Sequence, residues 1–164
     1  MKSKSSKTIF AALVLSLFAT VAAINAAAQT KQPNLSGTWK MNAEKSKFER
    51  GGPSGILLKL DHQENSLSET LTLQTDGGER SVDLKYATDG KDKEQDVMGR
   101  PTQTAVKWDG QTLVIEWRVE GQSFTRKLTV SPDGKTLTMI VNQSNSQGEA
   151  STDNILLEKQ EAKK

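Results

Sequence analysis

Side-chain chemistry would have to be done here with few reagents. The 164 residues include one histidine, His62, and no cysteine, which excludes thiolate nucleophiles, disulfides and thiolate metal ligands. A serine nucleophile would have to take His62 as its base, and no Gly-x-Ser-x-Gly turn is present to expose one. Zinc has no plausible ligand set without a cysteine or a second histidine. The acids of "TDGKDKEQD", namely Asp89, Asp92, Glu94 and Asp96, cluster as a calcium loop would. Their glycine falls too early for an EF-hand and two lysines interleave, so the stretch reads as a solvated hairpin. Asn34-Leu-Ser and Asn142-Gln-Ser fit the glycosylation pattern, which matters only in a eukaryotic source. Catalytic residues, metal and cofactor are therefore all expected to be none. The remaining enzymatic option is hydrolysis or isomerisation centred on His62 and Glu69.

The elements that must position such residues are strands. From Leu35 onward apolar and polar residues alternate, with little of the three-to-four spacing of helices. Strands are expected near 35–41, 55–63, 66–75, 79–88, 101–108, 111–120, 122–131, 135–144 and 149–159, with a short extra one at 94–98. Between them lie "DGGE", "TDGK", "WDGQ", "EGQ", "PDGK" and "SQGE", whose glycines supply the positive φ of tight hairpins. Almost every connection is thus local and antiparallel, which favours an up-and-down barrel over a sandwich with long crossovers. The exception is "NAEKSKFERGGPSG", where Asn42 can cap a short helical turn through Lys47 and the segment can lie across one mouth with Phe48 tucked inward.

Strand parity defines an inside. One face collects Trp39, Met41, Leu58, Leu71, Leu84, Tyr86, Trp108, Ile115, Trp117, Phe124, Met139 and Leu157, among other apolar residues. Its ionisable exceptions are His62, Glu69, Arg80 and Arg126. A buried charge without a partner costs several kcal/mol, roughly, so each must pair, reach a mouth or meet a bound anion. For Arg126, between Phe124 and Leu128, four fates are open: stacking on Trp39, forking onto a ligand carboxylate, an internal salt bridge to Glu69, or an end-of-strand position open to water.

Composition narrows the setting. Lys2, Lys4 and Lys7, the run "IFAALVLSLFATVAA" and the small residues of "NAAAQT" form the three regions of a signal peptide, giving a leader at 1–28, one barrel domain at 29–159 and a charged tail at 160–164. The apolar run falls short of the ~20 residues of a spanning helix, so no integral span is expected after cleavage. Of 22 basic residues three fall in the leader, leaving 19 against 20 acidic ones. Without a positive field, nucleic acid is not an expected partner.

Gly37-x-Trp39 at the start of the first strand resembles the signature of the lipocalin and fatty-acid-binding-protein superfamily. "SGTWKMNAEKSKF" and "KWDGQTLVIE" are similar to stretches of exported bacterial lipocalin-like proteins, and "KWDG" to a hairpin of fatty-acid-binding proteins. The Thr-Asp-Tyr block of lipocalins is not found. The resemblance covers most of residues 29–164 and implies an antiparallel β-barrel of about 8–10 strands. In it Gly37 bends the first strand and Trp39 closes one end beneath a late-strand arginine.

The expected protein is an exported monomer, periplasmic or secreted, that binds a small hydrophobic or amphipathic ligand. Its wall comprises Leu58, Leu71, Leu84, Ile115, Trp117, Phe124 and Met139, with Arg126 as anion anchor. The alternative is a non-enzymatic envelope interaction or structural module with a packed interior.

Overall fold

A computed structural model describes residues 32–97 and 99–161. The expected leader and most of the tail fall outside the described residues. Alternation and turn chemistry produce ten strands: β1 (Gly37–Met41), β2 (Gly55–Gln63), β3 (Ser66–Thr75), β4 (Gly78–Ala87), β5 (Lys93–Val97), β6 (Arg100–Asp109), β7 (Thr112–Val119), β8 (Gln122–Val130), β9 (Thr136–Ser144) and β10 (Ala150–Gln160). Each expected strand is present within about two residues, the short one included. At the β7–β8 hairpin both Glu120 and Gly121 take positive φ, 44° and 76°, as a tight turn between right-twisted strands requires.

The strands form one antiparallel sheet in the order β4-β3-β2-β1-β10-β9-β8-β7-β6-β5. Sequence neighbours pair throughout except at one place. β1 pairs with β10, joining the two ends of the chain, while the ladder is interrupted between the consecutive strands β4 and β5. Beside that seam the β4–β5 connection is tied to β6 by a backbone hydrogen bond from Gly90 N–H to the Val106 carbonyl at 2.9 Å. The result is a nearly closed barrel. Its lower end carries the start of β1 and the β2–β3, β6–β7 and β8–β9 turns; its upper end carries the 42–54 connection and the remaining hairpins.

The 42–54 connection departs from expectation. Asn42 Oδ1 accepts the Lys45 amide at 3.1 Å, but a single turn follows rather than helix. By Lys47 the chain is extended again, exchanging backbone bonds with Asn154 at 2.7 and 2.9 Å. Pairing with β10 wins because Asp153 and Thr152 add side-chain and backbone anchors: Asp153 Oδ1 accepts the Glu49 amide at 3.0 Å, and Glu49 Oε2 accepts the Thr152 amide at 2.9 Å. Phe48 does turn inward against the core. A Cβ on Gly52 would lie 2.3 Å from the Phe48 ring, so glycine is what lets the chain pass there.

Burial is uneven along the barrel axis. At the lower end Leu35, Trp39, Leu67, Leu113, Leu128, Leu137 and Leu157 are wholly excluded from solvent. At the upper end the inward Leu71, Leu73, Val82, Trp117 and Val141 are only half-buried.

Candidate functional site

The division between the two halves is a side-chain bridge. Glu69 projects inward from β3, opposite Leu84, and Arg126 from β8, opposite Ile115. β3 and β8 lie five positions apart in a ten-strand order, on opposite walls, so the pair spans the lumen. Arg126 Nη1 donates to Glu69 Oε1 at 2.7 Å and Nη2 donates to Oε2, a bidentate fork. Their side chains are 4% and 0% exposed. Of the four fates open to Arg126, the salt bridge to Glu69 is the one realised, and burial excludes the position open to water.

Two aromatics attend the bridge. The Arg126 guanidinium carbon lies 5.0 Å from the centre of the Trp117 ring, a cation–π distance. Tyr86, buried on β4, places its hydroxyl next to both Arg126 and Trp117; burial pushes this phenol well above its ordinary value, against a smaller downward pull from Arg126. Three buried polar atoms of the cluster, Tyr86 Oη, Trp117 Nε1 and Arg126 Nε, make no well-formed hydrogen bond, although Arg126 and Trp117 both approach the Tyr86 oxygen.

The stack of Arg126 on Trp39 does not occur. Trp39 instead receives Lys159, whose ammonium lies 5.0 Å from the ring, and its indole N–H donates to the Leu35 carbonyl at 3.0 Å. Lys159 is the direct cross-strand partner of Trp39, whereas Arg126 is taken by Glu69. Gly37 contributes to this corner through a φ of 141° and through its missing side chain, since a Cβ would meet Lys159 Cε at 2.8 Å.

The remaining ionisable candidates separate. His62, near the lower end of β2, packs its ring 5.4 Å from that of Trp108 at 50°, and its Nε2 has no partner. Burial lowers this imidazole below its ordinary 6.5, against a weaker upward pull from Asp61. Arg80 is exposed near the upper β3–β4 turn. With Glu69 engaged by Arg126, no His–Glu dyad is assembled. Among the described residues no acid and histidine grouping could hold a metal ion, and no helix is long and apolar enough to cross a membrane.

The expected ligand wall splits along the same boundary. Leu58, Leu84, Ile115 and Met139 are at most 2% exposed and form a packed floor, whereas Leu71, Trp117 and Phe124 are half-buried above it. Other inward polar residues escaped the sequence reading: Thr102, Thr104, Ser151 and Asp153 are buried, and Gln95 donates to Thr104 Oγ1 at 3.1 Å. Parity could have found them, because they continue the series of Val106 and Trp108 on β6 and of Ile155 and Leu157 on β10. A cleft of about 120 Å³ opens in the seam, with Lys85, Lys91 and Lys93 on its rim and Tyr86, Thr104 and Val106 at its base.

No family model matches the chain, and no curated protein sequence does. Solved structures do. A mutant of the REP1-NXSQ fatty acid transporter superposes with a TM-score of 0.58 at 14% identity, covering 77% of this chain and 98% of that one. A secretory abundant heat soluble protein from Ramazzottius varieornatus gives 0.60 at 12%, covering 77% and 95%. Zebrafish ileal bile-acid-binding protein complexed with cholic acid gives 0.56 at 16%, covering 76% and 98%. At these identities the likeness is one of fold: this chain forms a ten-stranded antiparallel barrel that matches the lipocalin/calycin-like fold, the architecture that Gly37 and Trp39 implied.

Proposed function

We propose that the protein is an exported, monomeric, non-enzymatic carrier of a small hydrophobic or amphipathic molecule. The observation that carries this reading is the cluster at the floor of the upper lumen, where buried donors without partners lie beneath half-buried apolar walls. A buried N–H or O–H left unpaired costs about 1–3 kcal/mol, and three donors with the one Tyr86 oxygen between them leave capacity that a bound acceptor would complete. Leu71, Val82, Trp117, Phe124 and Val141 would meet the apolar part of the ligand. Similarly folded barrels named for fatty acid transport and bile acid binding support the reading, and the leader-like start of the chain supports export.

The rival reading, an envelope module with a packed interior, draws on the solvent-excluded lower half and on the bridge across the lumen. Organic extraction of the purified protein with mass spectrometry of the extract separates the two. The carrier should release a stoichiometric small molecule, and the delipidated protein should change its Trp117 fluorescence on refilling. A clean extract and unchanged emission would favour the packed module.

A further inference from the structure

On the carrier reading, we infer that the ligand's polar end is an uncharged oxygen acceptor, such as an ester, ketone or hydroxyl oxygen, and not a carboxylate. Arg126 is the one cation of the cluster, and its charge is already matched by Glu69 through two hydrogen bonds across the lumen. A ligand carboxylate would make two anions for one cation at a site where both existing side chains are almost wholly excluded from water. An uncompensated buried charge is among the most costly arrangements a protein interior can hold.

What the site lacks is a sufficient acceptor: the Tyr86 oxygen, which both Arg126 and Trp117 approach, is the one side-chain acceptor beside the engaged Glu69, and its own O–H has nothing to donate to. The unpartnered atoms are Arg126 Nε, Trp117 Nε1 and Tyr86 Oη. The first two only donate, and the third, held protonated by burial, can donate as well. A neutral oxygen has two lone pairs and brings no charge, so it satisfies this set without disturbing the ion pair. The apolar remainder would run upward between Leu71 and Val82 on one wall and Phe124 and Val141 on the other. Thus Glu69, by occupying the arginine, sets the specificity.

The test compares ligands of one chain length. Delipidated full-length protein is titrated near neutral pH with methyl decanoate, decanol, decanoate and decane, read by tryptophan emission and calorimetry. Methyl decanoate and decanol should bind about tenfold or more tighter than decanoate, and tighter than decane, the first gap reflecting charge and the second the donors. Tyr86→Phe should weaken the neutral polar ligands about three- to tenfold and leave decane unchanged. Glu69→Gln, if its near-ultraviolet circular dichroism matches that of the parent, should move the preference to decanoate. Decanoate binding as tightly as the ester to the unmodified protein overturns the inference and leaves the carrier reading standing. Equal binding of ester, decanol and decane overturns it too, since the donors would then be held by internal water. Binding of none of the four defeats both.

Discussion

Below the Arg126–Glu69 bridge the barrel behaves as the core of an ordinary small domain; above it the same ten strands leave many inward side chains only half-buried. The lower half is apolar at most inward positions, His62 and Lys159 at its rim excepted, and Leu35, Leu67, Leu113, Leu128, Leu137 and Leu157 meet no water. The upper half mixes apolar residues on β3, β4, β7 and β8 with Thr102, Gln95, Gln143, Ser151 and Asp153 on β5, β6, β9 and β10, and much of it remains half-buried. The difference teaches where stability and binding are separated in this fold. Burial of apolar area, about 25 cal/mol per Å², is concentrated under the bridge. The half that could open for a ligand contributes less to holding the barrel together.

That contrast can be broken most forcefully at the bridge itself. Glu69→Ala leaves a guanidinium alone in the interior and should cost about 3–5 kcal/mol in urea unfolding. Replacing both partners, with Glu69→Leu and Arg126→Met together, should recover most of the loss, because a buried ion pair is weakly stabilising relative to well-packed apolar groups. Recovery of nothing would mean that the bridge holds the walls in register.

Next come truncations on either side. Trp39→Ala, in the solvent-free lower half, should cost about 3–5 kcal/mol, and Phe124→Ala, half-buried above, about 1 kcal/mol or less. Equal losses would dissolve the distinction between the packed lower half and the half-buried upper one. A smaller effect is expected at Gly37. Its φ of 141° strains any side chain, while the nearest obstacle is the flexible end of Lys159, so Gly37→Ala should cost about 1–2 kcal/mol through the backbone. The temperature midpoint of unfolding, followed at far-ultraviolet wavelengths, would read it.

The smallest effect is that of pH at His62. Because burial holds its folded pKa below 6.5, the unfolded chain binds this proton more readily than the folded one. Stability therefore rises with pH between the folded value and 6.5, and is lost as pH falls through that window. The slope should be shallow, since the ring is partly exposed, and His62→Gln should flatten it. Urea midpoints across mildly acidic pH provide the measurement.

Much of this architecture was legible in the sequence because the period-two signal is strong wherever one strand face is apolar. The ten strands, the inward parity of Leu58, Ile115 and Leu157, and the salt bridge as one fate of Arg126 all follow from alternation and the cost of burying charge. The 42–54 connection was less legible. Helix capping by Asn42 competes there with β-pairing to Asn154, and only the fold brings β10 within reach. Tyr86 was placed inside but passed over as a polar residue, although a buried phenol needs a hydrogen-bond partner as a buried charge does. The polar residues of the upper lumen were missed for a related reason: alternation is sought as a run of apolar side chains, and Thr102 or Asp153 does not register as one.

The seam between β4 and β5 has a mechanical meaning. Elsewhere, widening the cylinder would sever a whole ladder of backbone bonds, but no strand ladder joins β4 to β5, which stand at the two ends of the sheet order. The circumference is therefore adjustable at one line, and breathing along it would expose the amides of β4 and β5 to deuterium ahead of those of β1 and β10, which are held on both sides. The exposed lysines that flank this line, Lys85, Lys91 and Lys93, put like charges on the two free borders and so discourage a second barrel from zipping onto either.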